Sequence, residues 1–368
     1  MTLLEVARAE FKRRNLIAPG QLLERFCASV CAHIFNLHNI DKPVVFENGV
    51  SENQRIHIAY ITPSGFGKST LFRTFLDQRN GMMAKGPFPT SVRSTFTPES
   101  WMGTLSETGD GEVKQRTGLF GRYKSGIIGA DDFMRLKEMM DGLGITNEEV
   151  YLMSALEGDT ITKDMAKGSI EESGIGTTLW SGLRPVPMRL YSGLARRFTF
   201  QLFFPGPKTA RAFLDAISGD SRAGESKAFL AVVRDIEKTV KGGKAPNTND
   251  VIDWARQQDV PHFEARLYRR LAVGMSLATG TFPKVSMSKA VESLLRDEMD
   301  ARHVIRDDPR PNIVAAIAQE SPGCTENQVK RFIVSHYQVA PLEANWMLQQ
   351  AIIRKLVVLK GGNVNASS

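Results

Sequence analysis

Hydrophobic residues recur at two different spacings along the chain, and the change from one spacing to the other divides the sequence into regions. Residues 1 to about 40 place apolar side chains three and four positions apart, with a break at Pro19-Gly20, which predicts a short helical region. From Arg55 to Pro205 short β-type runs alternate with helical or turn-rich stretches, and beyond Pro205 helical spacing continues to about Arg302. The β-type runs are Ile56–Ile61, Gly126–Ala130, Thr177–Trp180 and Phe198–Phe204. This order predicts an α/β fold with a mostly parallel sheet, followed by an all-helical unit.

The last region follows Asp307–Pro311 and combines three helical stretches with one β-type run before a polar tail. The stretches are Asn312–Glu320, Thr325–Tyr337 and Leu342–Arg354, and the run is Leu356–Lys360. Three helices and a terminal strand are typical of a winged helix-turn-helix. The chain of 368 residues also exceeds the roughly 250–300 residues at which single hydrophobic cores stop growing, so we expect more than one domain.

A glycine-rich turn lies between the first β-type run and the helical stretch Leu71–Leu76. The turn reads Thr62-Pro63-Ser64-Gly65-Phe66-Gly67-Lys68-Ser69-Thr70. A strand, a glycine loop and a helix in this order form a P-loop, in which backbone N–H groups and the positive end of the helix dipole bind phosphates. The sequence therefore predicts that residues 62–70 bind ATP.

The chemistry expected of this loop depends on a few of its residues. Gly65 and Gly67 let the backbone approach the phosphates. Lys68 supplies the positive charge for the β- and γ-phosphates, and Ser69 supplies a hydroxyl to Mg²⁺. The pattern departs from its usual form at Thr62, where a glycine is expected, but the Gly-Lys-Ser-Thr end and the flanking elements are present.

Two adjacent carboxylates follow the second β-type run. A nucleotide hydrolase needs acidic residues at the end of a neighbouring strand, because Mg²⁺ prefers oxygen ligands and the attacking water must be oriented. Asp131 is the candidate for the Mg²⁺ shell, and Asp132 is the candidate that polarises the water. Alternatively, both carboxylates cap the helix Met134–Met140 at its N-terminus. The apolar run in front of them favours the catalytic interpretation.

Composition adds a class of partner and a compartment. Lys and Arg total 47 against 40 Asp and Glu, a formal net charge of +7 with a pI near 9.3, which favours a polyanionic partner. Three cysteines cannot form a disulfide framework in this chain, and the N-terminus lacks the apolar run of a secretory signal, so we expect a cytoplasmic protein. No stretch reaches the roughly 20 apolar residues of a membrane span.

Four residues of the N-terminal region are of the types that bind zinc: Cys27, Cys31, His33 and His38. A zinc site is disfavoured, because the two cysteines stand four positions apart on what the spacing predicts to be one buried helix face. Structural zinc usually takes cysteines two residues apart with a second pair elsewhere.

The order of these motifs resembles that of the AAA+ ATPases, and among them the minichromosome maintenance helicases and related plasmid or viral replication ATPases. Ala130–Phe133 is similar to the family's Ile-Asp-Glu-Phe, with Asp132 in place of glutamate. Ala155–Lys163 followed by Lys167-Gly168 is similar to a segment in which a helix ends in Glu-x-Gly and a hairpin follows. The resemblance covers about residues 55–300. With the C-terminal pattern, it implies an N-terminal helical segment (1–50), an AAA+ P-loop core (51–205), a helical lid domain (206–302) and a winged-helix domain with a polar tail (303–368).

The resemblance also implies roles for residues around the second half of the core. Thr177–Gly182 resembles the sensor-1 strand, which implies that Ser181 contacts the γ-phosphate. Leu194–Phe198 is similar to the family's Leu-Ser-Arg-Phe, which implies that Arg197, with Arg196 as the alternative, reaches the nucleotide of a neighbouring subunit. A surface arginine pair at an edge strand is the other interpretation.

The helix Glu264–Ala272 resembles the lid helix that carries sensor 2, which implies that Arg266 senses the phosphates. Arg269 and Arg270 stand close by, and the family's spacing does not choose among the three arginines. A solvated basic helix face is the alternative.

In the resembling family, basic residues on hairpins face a central pore and contact DNA phosphates. Lys163 and Lys167 occupy the matching region, and Arg184 and Arg189 are further candidates for DNA binding. Each of these residues could equally be an ordinary exposed cation. The basic residues of the last region could either meet DNA or only solubilise the fold; they are Lys330, Arg331, Arg354 and Lys355.

The motifs predict an ATP hydrolase, and the resemblance implies that it acts as a DNA motor: a replicative helicase of a virus or plasmid, assembled as a homo-oligomeric ring, a hexamer, with ATP and Mg²⁺ between subunits and DNA in the pore. One alternative is a replication-initiation or DNA-binding switch that uses ATP without unwinding DNA. The other is an AAA+ remodeller of proteins, for which the basic charge would be incidental.

Overall fold

The computed structural model describes residues 1–38, 44–45, 51–94, 98–107, 112–141, 147–165, 168–188, 190, 193–218, 225–241 and 246–367. The helices in this part of the chain are α1 (Leu3–Arg13), α2 (Leu22–Leu37), α3 (Lys68–Leu76), α4 (Pro98–Met102), α5 (Leu119–Arg122), α6 (Met134–Asp141), α7 (Asn147–Glu157), α8 (Pro207–Ser218), α9 (Lys227–Lys241), α10 (Asn249–Gln257), α11 (His262–Ala278), α12 (Lys289–Arg306), α13 (Pro311–Glu320), α14 (Glu326–Tyr337) and α15 (Pro341–Ile353). The strands are β1 (Val44–Val45), β2 (Ser51–Glu52), β3 (His57–Ile61), β4 (Thr90–Arg93), β5 (Gly103–Glu107), β6 (Val113–Thr117), β7 (Ile127–Ala130), β8 (Ile161–Met165), β9 (Gly168–Glu172), β10 (Thr178–Leu183), β11 (Phe198–Leu202), β12 (Cys324–Thr325), β13 (Val357–Lys360) and β14 (Asn363–Ala366).

A five-stranded parallel sheet forms the centre of the α/β fold, as the alternation of β-type and helical stretches predicted. Its order is β11-β3-β10-β7-β4, and every adjacent pair is parallel. β3, β7 and β10 are buried along their whole length, which explains why they appear as apolar runs without alternation. Two details differ from the prediction. β10 continues beyond Trp180 to Leu183, and β4 was missed because its Thr-Ser-Val-Arg sequence is short and mostly polar.

The strand order indicates at which end of this sheet a ligand is expected to bind. All five strands are parallel, so their last residues share what we name the carboxyl end, and their first residues share the amino end. From β3 the chain continues to β4 at one edge of the sheet, and from β10 it continues to β11 at the opposite edge. Open parallel sheets bind ligands at the carboxyl end where the connections of adjacent strands diverge in this way. The fold therefore points to the carboxyl ends of β3 and β10.

The N-terminal helices and helices α9–α12 share one hydrophobic core with this sheet. Phe26 of α2 stacks on Trp180 of β10, with ring centroids 4.4 Å apart, and Phe75 of α3 packs edge-on against both rings. Gly274 of α11 lies directly against the backbone of Ala28 in α2, which leaves no room for a side chain. The helices before and after the sheet are therefore joined to it by continuous packing.

A buried ionic network fixes α2 and α12 to the edge strand β11. The carboxylate of Glu298 is fully buried, and it accepts hydrogen bonds from Arg25 at 2.6 Å and from Arg302 at 2.8 Å. It also accepts the backbone N–H of Phe200 in β11 at 2.8 Å, while Arg25 makes a further ion pair with Asp297 at 2.5 Å. Buried charges are tolerated when they are paired and hydrogen-bonded in this way. The network therefore favours one placement of both helices on β11.

Helices α13–α15 and strands β12–β14 form a C-terminal unit with its own hydrophobic core. The strands make an antiparallel sheet of order β12-β14-β13. The three predicted helices and the strand predicted at Leu356–Lys360 are confirmed to within a few residues, whereas β12 and β14 were not predicted. Thr325 starts α14 with a reciprocal capping box to Gln328.

The antiparallel hairpins β8–β9 and β5–β6 lie outside the central sheet. The hairpin β8–β9 follows α7 and Gly158, where the sequence predicted one. The hairpin β5–β6 lies between α4 and α5 and was not predicted. The signal for it was available, because the sequence Gly109-Asp110-Gly111 between two short β-type stretches is typical of a hairpin turn.

Candidate nucleotide site

The predicted P-loop joins β3 to α3 at the carboxyl end of the sheet, as its sequence context required. β3 ends at Ile61 and α3 begins at Lys68. Gly65 and Gly67 adopt φ values of +87° and +80°, in the left-handed region that glycine enters without strain. A loop of this kind turns successive backbone N–H groups toward one side and forms an anion-binding concavity at the start of a helix. Ser69 lies half-buried in the first turn of α3, and Thr70 is exposed beside it.

Lys68 is held between the ends of the two central strands. Its Nζ donates to the carbonyl oxygen of Thr62 at 2.8 Å and to that of Leu183, the last residue of β10, at 3.4 Å. Burial lowers the pKa of Lys68 to about 8, although the nearby Asp132 and Asp131 oppose this shift. A buried ammonium supported mainly by carbonyl dipoles gains stabilisation when an anion approaches it.

Asp131 lies beside Lys68 because a glycine allows the two chain segments to meet. A Cβ atom added to Gly182 would lie 2.5 Å from the carbonyl oxygen of Asp131 and 3.1 Å from Cδ of Lys68. The backbone N–H of Phe133 donates to the carbonyl oxygen of Gly182 at 2.8 Å, which fixes this approach. The carboxylate of Asp131 is 7% exposed and lies 3.7 Å from Nη2 of Arg73 in α3. Lys68 and Asp131 are thus brought together as the sequence predicted.

Asp132 extends into solvent and meets a residue that was expected elsewhere. Its Oδ2 lies 2.9 Å from Nη2 of Arg184, and both side chains are about half exposed. Arg184 was a candidate for DNA binding, but the structure places it directly after Leu183, whose carbonyl oxygen accepts the hydrogen bond from Lys68. The carboxyl end of β10 therefore contributes an arginine to the candidate nucleotide site.

Ser181 lies inside the sheet between the P-loop strand and the acidic strand. It pairs with Ala59 of β3 on one side and with Ala130 of β7 on the other. Its hydroxyl is fully buried and finds no hydrogen-bond partner among the described residues. A buried hydroxyl without a partner has unused hydrogen-bonding capacity.

Arg197 lies at the amino end of the sheet, away from the P-loop of its own chain. It directly precedes β11, whose first residue Phe198 pairs with His57, the first residue of β3. The P-loop follows the last residue of β3, so the strand separates the two by about 15 Å. Arg197 Nε is 2.7 Å from Oε1 of Glu157, whereas the neighbouring Arg196 is exposed and lies over the ring of Phe263 at 4.5 Å.

The arginines of α11 also lie near the amino end. The guanidinium of Arg196 lies over the ring of Phe263, the second residue of α11. Burial and the nearby charge of Arg270 lower the pKa of Arg55 to about 9. Only Ile56 separates Arg55 from the first residue of β3, so the turns of α11 from 263 to 270 lie beside the amino end of the sheet. Arg266 lies within these turns and is exposed. The structure thus does not bring Arg266 together with Lys68 in one chain.

In the described part of the hairpin β8–β9, two carboxylates are more exposed than the candidate lysine. Lys163 is half-buried and pairs with the buried Ile170, whereas Asp164 and Glu171 are exposed. Lys167 and Arg189 fall outside the described residues.

The hairpin β5–β6 carries two exposed cations that the sequence analysis did not select. Lys114 and Arg116 occupy alternate positions of β6, opposite Ser106 and Thr104 of β5. Because alternate residues of a strand share one face, these four side chains belong to one face of the hairpin. Recognising the hairpin in the sequence would have identified both cations.

In the described ranges, no group of three or more histidine, cysteine, aspartate or glutamate side chains is placed to hold a metal ion, and Cys27, Cys31 and His33 are buried in α2. No helix in those ranges is long and apolar enough to cross a membrane. A comparison of the chain with protein-family models gave no match, and a comparison with curated proteins gave none either.

Proposed function

We propose that the protein is an ATP hydrolase whose nucleotide site is the P-loop region at the carboxyl end of the central sheet. The observation that carries this proposal is the convergence of Lys68, Asp131 and Asp132 at the ends of β3, β10 and β7. Their charges and the left-handed glycines of the loop match what a magnesium-bound triphosphate requires. Ser181 adds a buried hydroxyl that is available to a phosphate oxygen.

The residues present also fit a magnesium ion. The hydroxyl of Ser69 and the carboxylate of Asp131 would hold Mg²⁺, which takes its other ligands from phosphate and water. Bound there, Mg²⁺ would neutralise phosphate charge during hydrolysis. The exposed carboxylate of Asp132 would accept the proton of the attacking water, and Arg184 would orient that carboxylate.

A nucleotide-binding measurement on matched variants tests this proposal. We expect saturable binding of a fluorescent ATP analogue with Mg²⁺ to the wild-type chain and its loss in Lys68→Ala, because the loop then lacks its cation. Lys238→Ala is the control, since Lys238 is exposed on α9 and makes one surface ion pair. Equal binding by wild type and Lys68→Ala, or no binding by wild type, contradicts the proposal.

The arrangement of arginines supports a site shared between subunits. Arg197 and Arg266 lie near the amino end of the sheet, and Lys68 lies at the carboxyl end. Head-to-tail association of chains would bring the amino end of one chain to the carboxyl end of the next, and repetition of that contact closes a ring. A cation supplied in this way stabilises the charge that develops on the transferred phosphoryl group. We propose a homo-oligomeric ring, a hexamer, that hydrolyses ATP at its interfaces.

The helices and strands that follow the central sheet also support membership of the AAA+ class. Helices α9–α12 would be the lid, and the C-terminal unit would be a winged helix. The unit runs helix, strand, helix, helix, strand, strand, which suits a helix-turn-helix extended by a hairpin. Its helix α15, however, exposes Leu342, Trp346 and Ile353 on one stripe, a surface more suited to protein than to phosphates.

We propose that the ring moves DNA as a replicative helicase and that β5–β6 contributes phosphate contacts. Lys114 and Arg116 share a face with two hydroxyl residues, which can bind a nucleic-acid backbone without reading its sequence. We expect single-stranded DNA to stimulate the ATPase, and the double variant Lys114→Ala/Arg116→Ala to weaken DNA binding and reduce its salt dependence. Lys238→Ala is again the control.

A protein remodeller is the second candidate, favoured by the exposed acidic residues of β8–β9 and by the apolar stripe of α15. Its signature would be an ATPase stimulated by a protein, with weak and salt-insensitive DNA binding. A DNA-binding switch would show ATP-dependent binding to one duplex sequence without displacing a strand from a forked duplex. Either result would replace the motor in this proposal while leaving the nucleotide site intact.

A further inference from the structure

The middle of the P-loop is buried by another part of the same chain. Phe66 is 6% exposed although it stands between two exposed or half-exposed glycines. Its ring lies 5.6 Å from that of Phe213 in α8 and 6.4 Å from that of Tyr337, the last residue of α14. An aromatic residue of the phosphate-binding loop therefore contacts the C-terminal unit.

Hydrogen bonds hold the C-terminal unit in this place. The hydroxyl of Tyr337 donates to the carbonyl oxygen of Pro205 at 2.8 Å. The carboxylate of Glu320, at the end of α13, accepts the backbone N–H of Thr209 at 2.9 Å in the first turn of α8. Both bonds join the unit to the segment that leaves β11, so Tyr337 meets Phe66 from a fixed support.

The contact borders the candidate nucleotide site. Beside this contact, a cavity of about 220 Å³ lies between the P-loop and the C-terminal unit. Its walls include Pro63, Ser64 and Arg184 on one side and Ile313, Tyr337 and Met347 on the other. The C-terminal unit thus forms a wall beside the loop that would bind phosphates.

We propose that Tyr337 is a positioning residue for the P-loop, so that nucleotide binding depends on docking of the C-terminal unit in the same chain. Phosphate binding needs the loop amides to converge, and a loop that must first be ordered pays for that order in conformational entropy. Tyr337 acts through Phe66 by holding the loop near its binding conformation. By linkage, a bound nucleotide strengthens the docking of the unit to the same extent. This inference rests on the proposed function.

Hydrogen exchange of the nucleotide-free full chain tests whether Tyr337 holds the P-loop in place through Phe66. We expect Tyr337→Ala to speed exchange of the amides in residues 64–69, because Phe66 loses an anchoring ring. Tyr337→Phe retains the ring and loses the bond to Pro205, so loop exchange should stay near that of wild type. Ile333→Ala, which opens the core of the same helix without touching Phe66, controls for general loosening of the unit. Unchanged loop exchange in Tyr337→Ala overturns the inference, as does equal loop exchange in Ile333→Ala.

Nucleotide affinity tests the consequence. Aromatic pairs contribute enough that we expect Tyr337→Ala to raise the Kd for Mg-ATP about 3- to 10-fold. Phe66→Ala removes the contact with Phe213 as well as that with Tyr337, so it should raise the Kd at least as much. The double variant should bind little worse than Phe66→Ala alone, because the contact with Tyr337 is then already lost. Effects that multiply in the double variant refute the coupling. If wild type binds no ATP while Tyr337→Ala still loosens the loop, the proposed function fails and the positioning contact stands.

Discussion

Gly182 offers a test of the site in which none of the charged side chains is replaced. A Cβ at this position would lie 2.5 Å from the carbonyl oxygen and 3.0 Å from the carbonyl carbon of Asp131, and 3.1 Å from Cδ of Lys68. Two of these atoms are backbone at the end of a buried strand, so the clash cannot be relieved by a side-chain rotation. Gly182→Ala must therefore displace the end of β7 from β10.

The expected magnitude follows from the cost of overpacking. Inserting a methyl group into a packed interior costs about 1–3 kcal/mol, and a clash with backbone falls toward the upper end, so we expect Gly182→Ala to lower the unfolding free energy by about 2–3 kcal/mol. Displacement of Asp131 and Lys68 should also weaken Mg-ATP binding by at least about tenfold, since misplacement of site residues by about 1 Å has effects of this size. Urea unfolding followed by circular dichroism and titration with a fluorescent ATP analogue measure the two quantities.

Gly129→Ala is the matched control for this variant. Gly129 lies on the neighbouring strand β7, and its nearest atom to an added Cβ is the flexible Cδ1 of Leu76 at 3.1 Å. Its stability should fall less, and its ATP affinity should remain near that of wild type. The reasoning is refuted if Gly182→Ala and Gly129→Ala match in stability and both bind Mg-ATP like wild type.

Of four further predictions, two concern the protonation of Lys68, one concerns assembly and one concerns the buried network. ATP affinity should fall as pH rises above about 8, because burial lowers the pKa of Lys68 to about 8 and the uncharged amine binds phosphate poorly; calorimetry above that pH should show proton uptake on binding. The same depressed pKa makes the Lys68 contribution to the stability of the nucleotide-free chain rise between about pH 8 and 10.5, where the unfolded chain binds the extra proton, and Lys68→Met should remove that rise. Lys68→Ala and Arg197→Ala should each lose ATPase, and their equal mixture should recover activity at about one interface in four if the arginine acts on a neighbour; no recovery speaks against a shared site. Glu298→Ala should lower the unfolding free energy by about 3 kcal/mol or more, because Arg25 and Arg302 lose their buried partner, whereas Glu292→Ala, which breaks an exposed pair, should change it by about 0.5 kcal/mol or less.

Local patterns along the sequence predicted the elements that depend on local chemistry. The P-loop was identifiable because Gly65 and Gly67 serve a backbone geometry that other residues resist, directly between a strand and a helix. The acidic pair was identifiable because it ends an apolar run, and the C-terminal helices because their spacing follows the helical period. β4 and β5–β6 were missed, since short strands with polar residues differ little from turns in an apolar count.

The sequence by itself determined that a glycine-rich loop with the P-loop pattern follows one apolar strand, and that two carboxylates follow another. Only the tertiary structure decided that β10 lies between these strands, which brings Arg184 to Asp132 and leaves Ser181 buried between two alanines. It also decided that Arg197 lies at the far end of the sheet and that Tyr337 packs on the loop. Backbone geometry and side-chain spacing are set within a few residues, whereas strand order and docking depend on which distant surfaces bury the most apolar area and pair the buried charges.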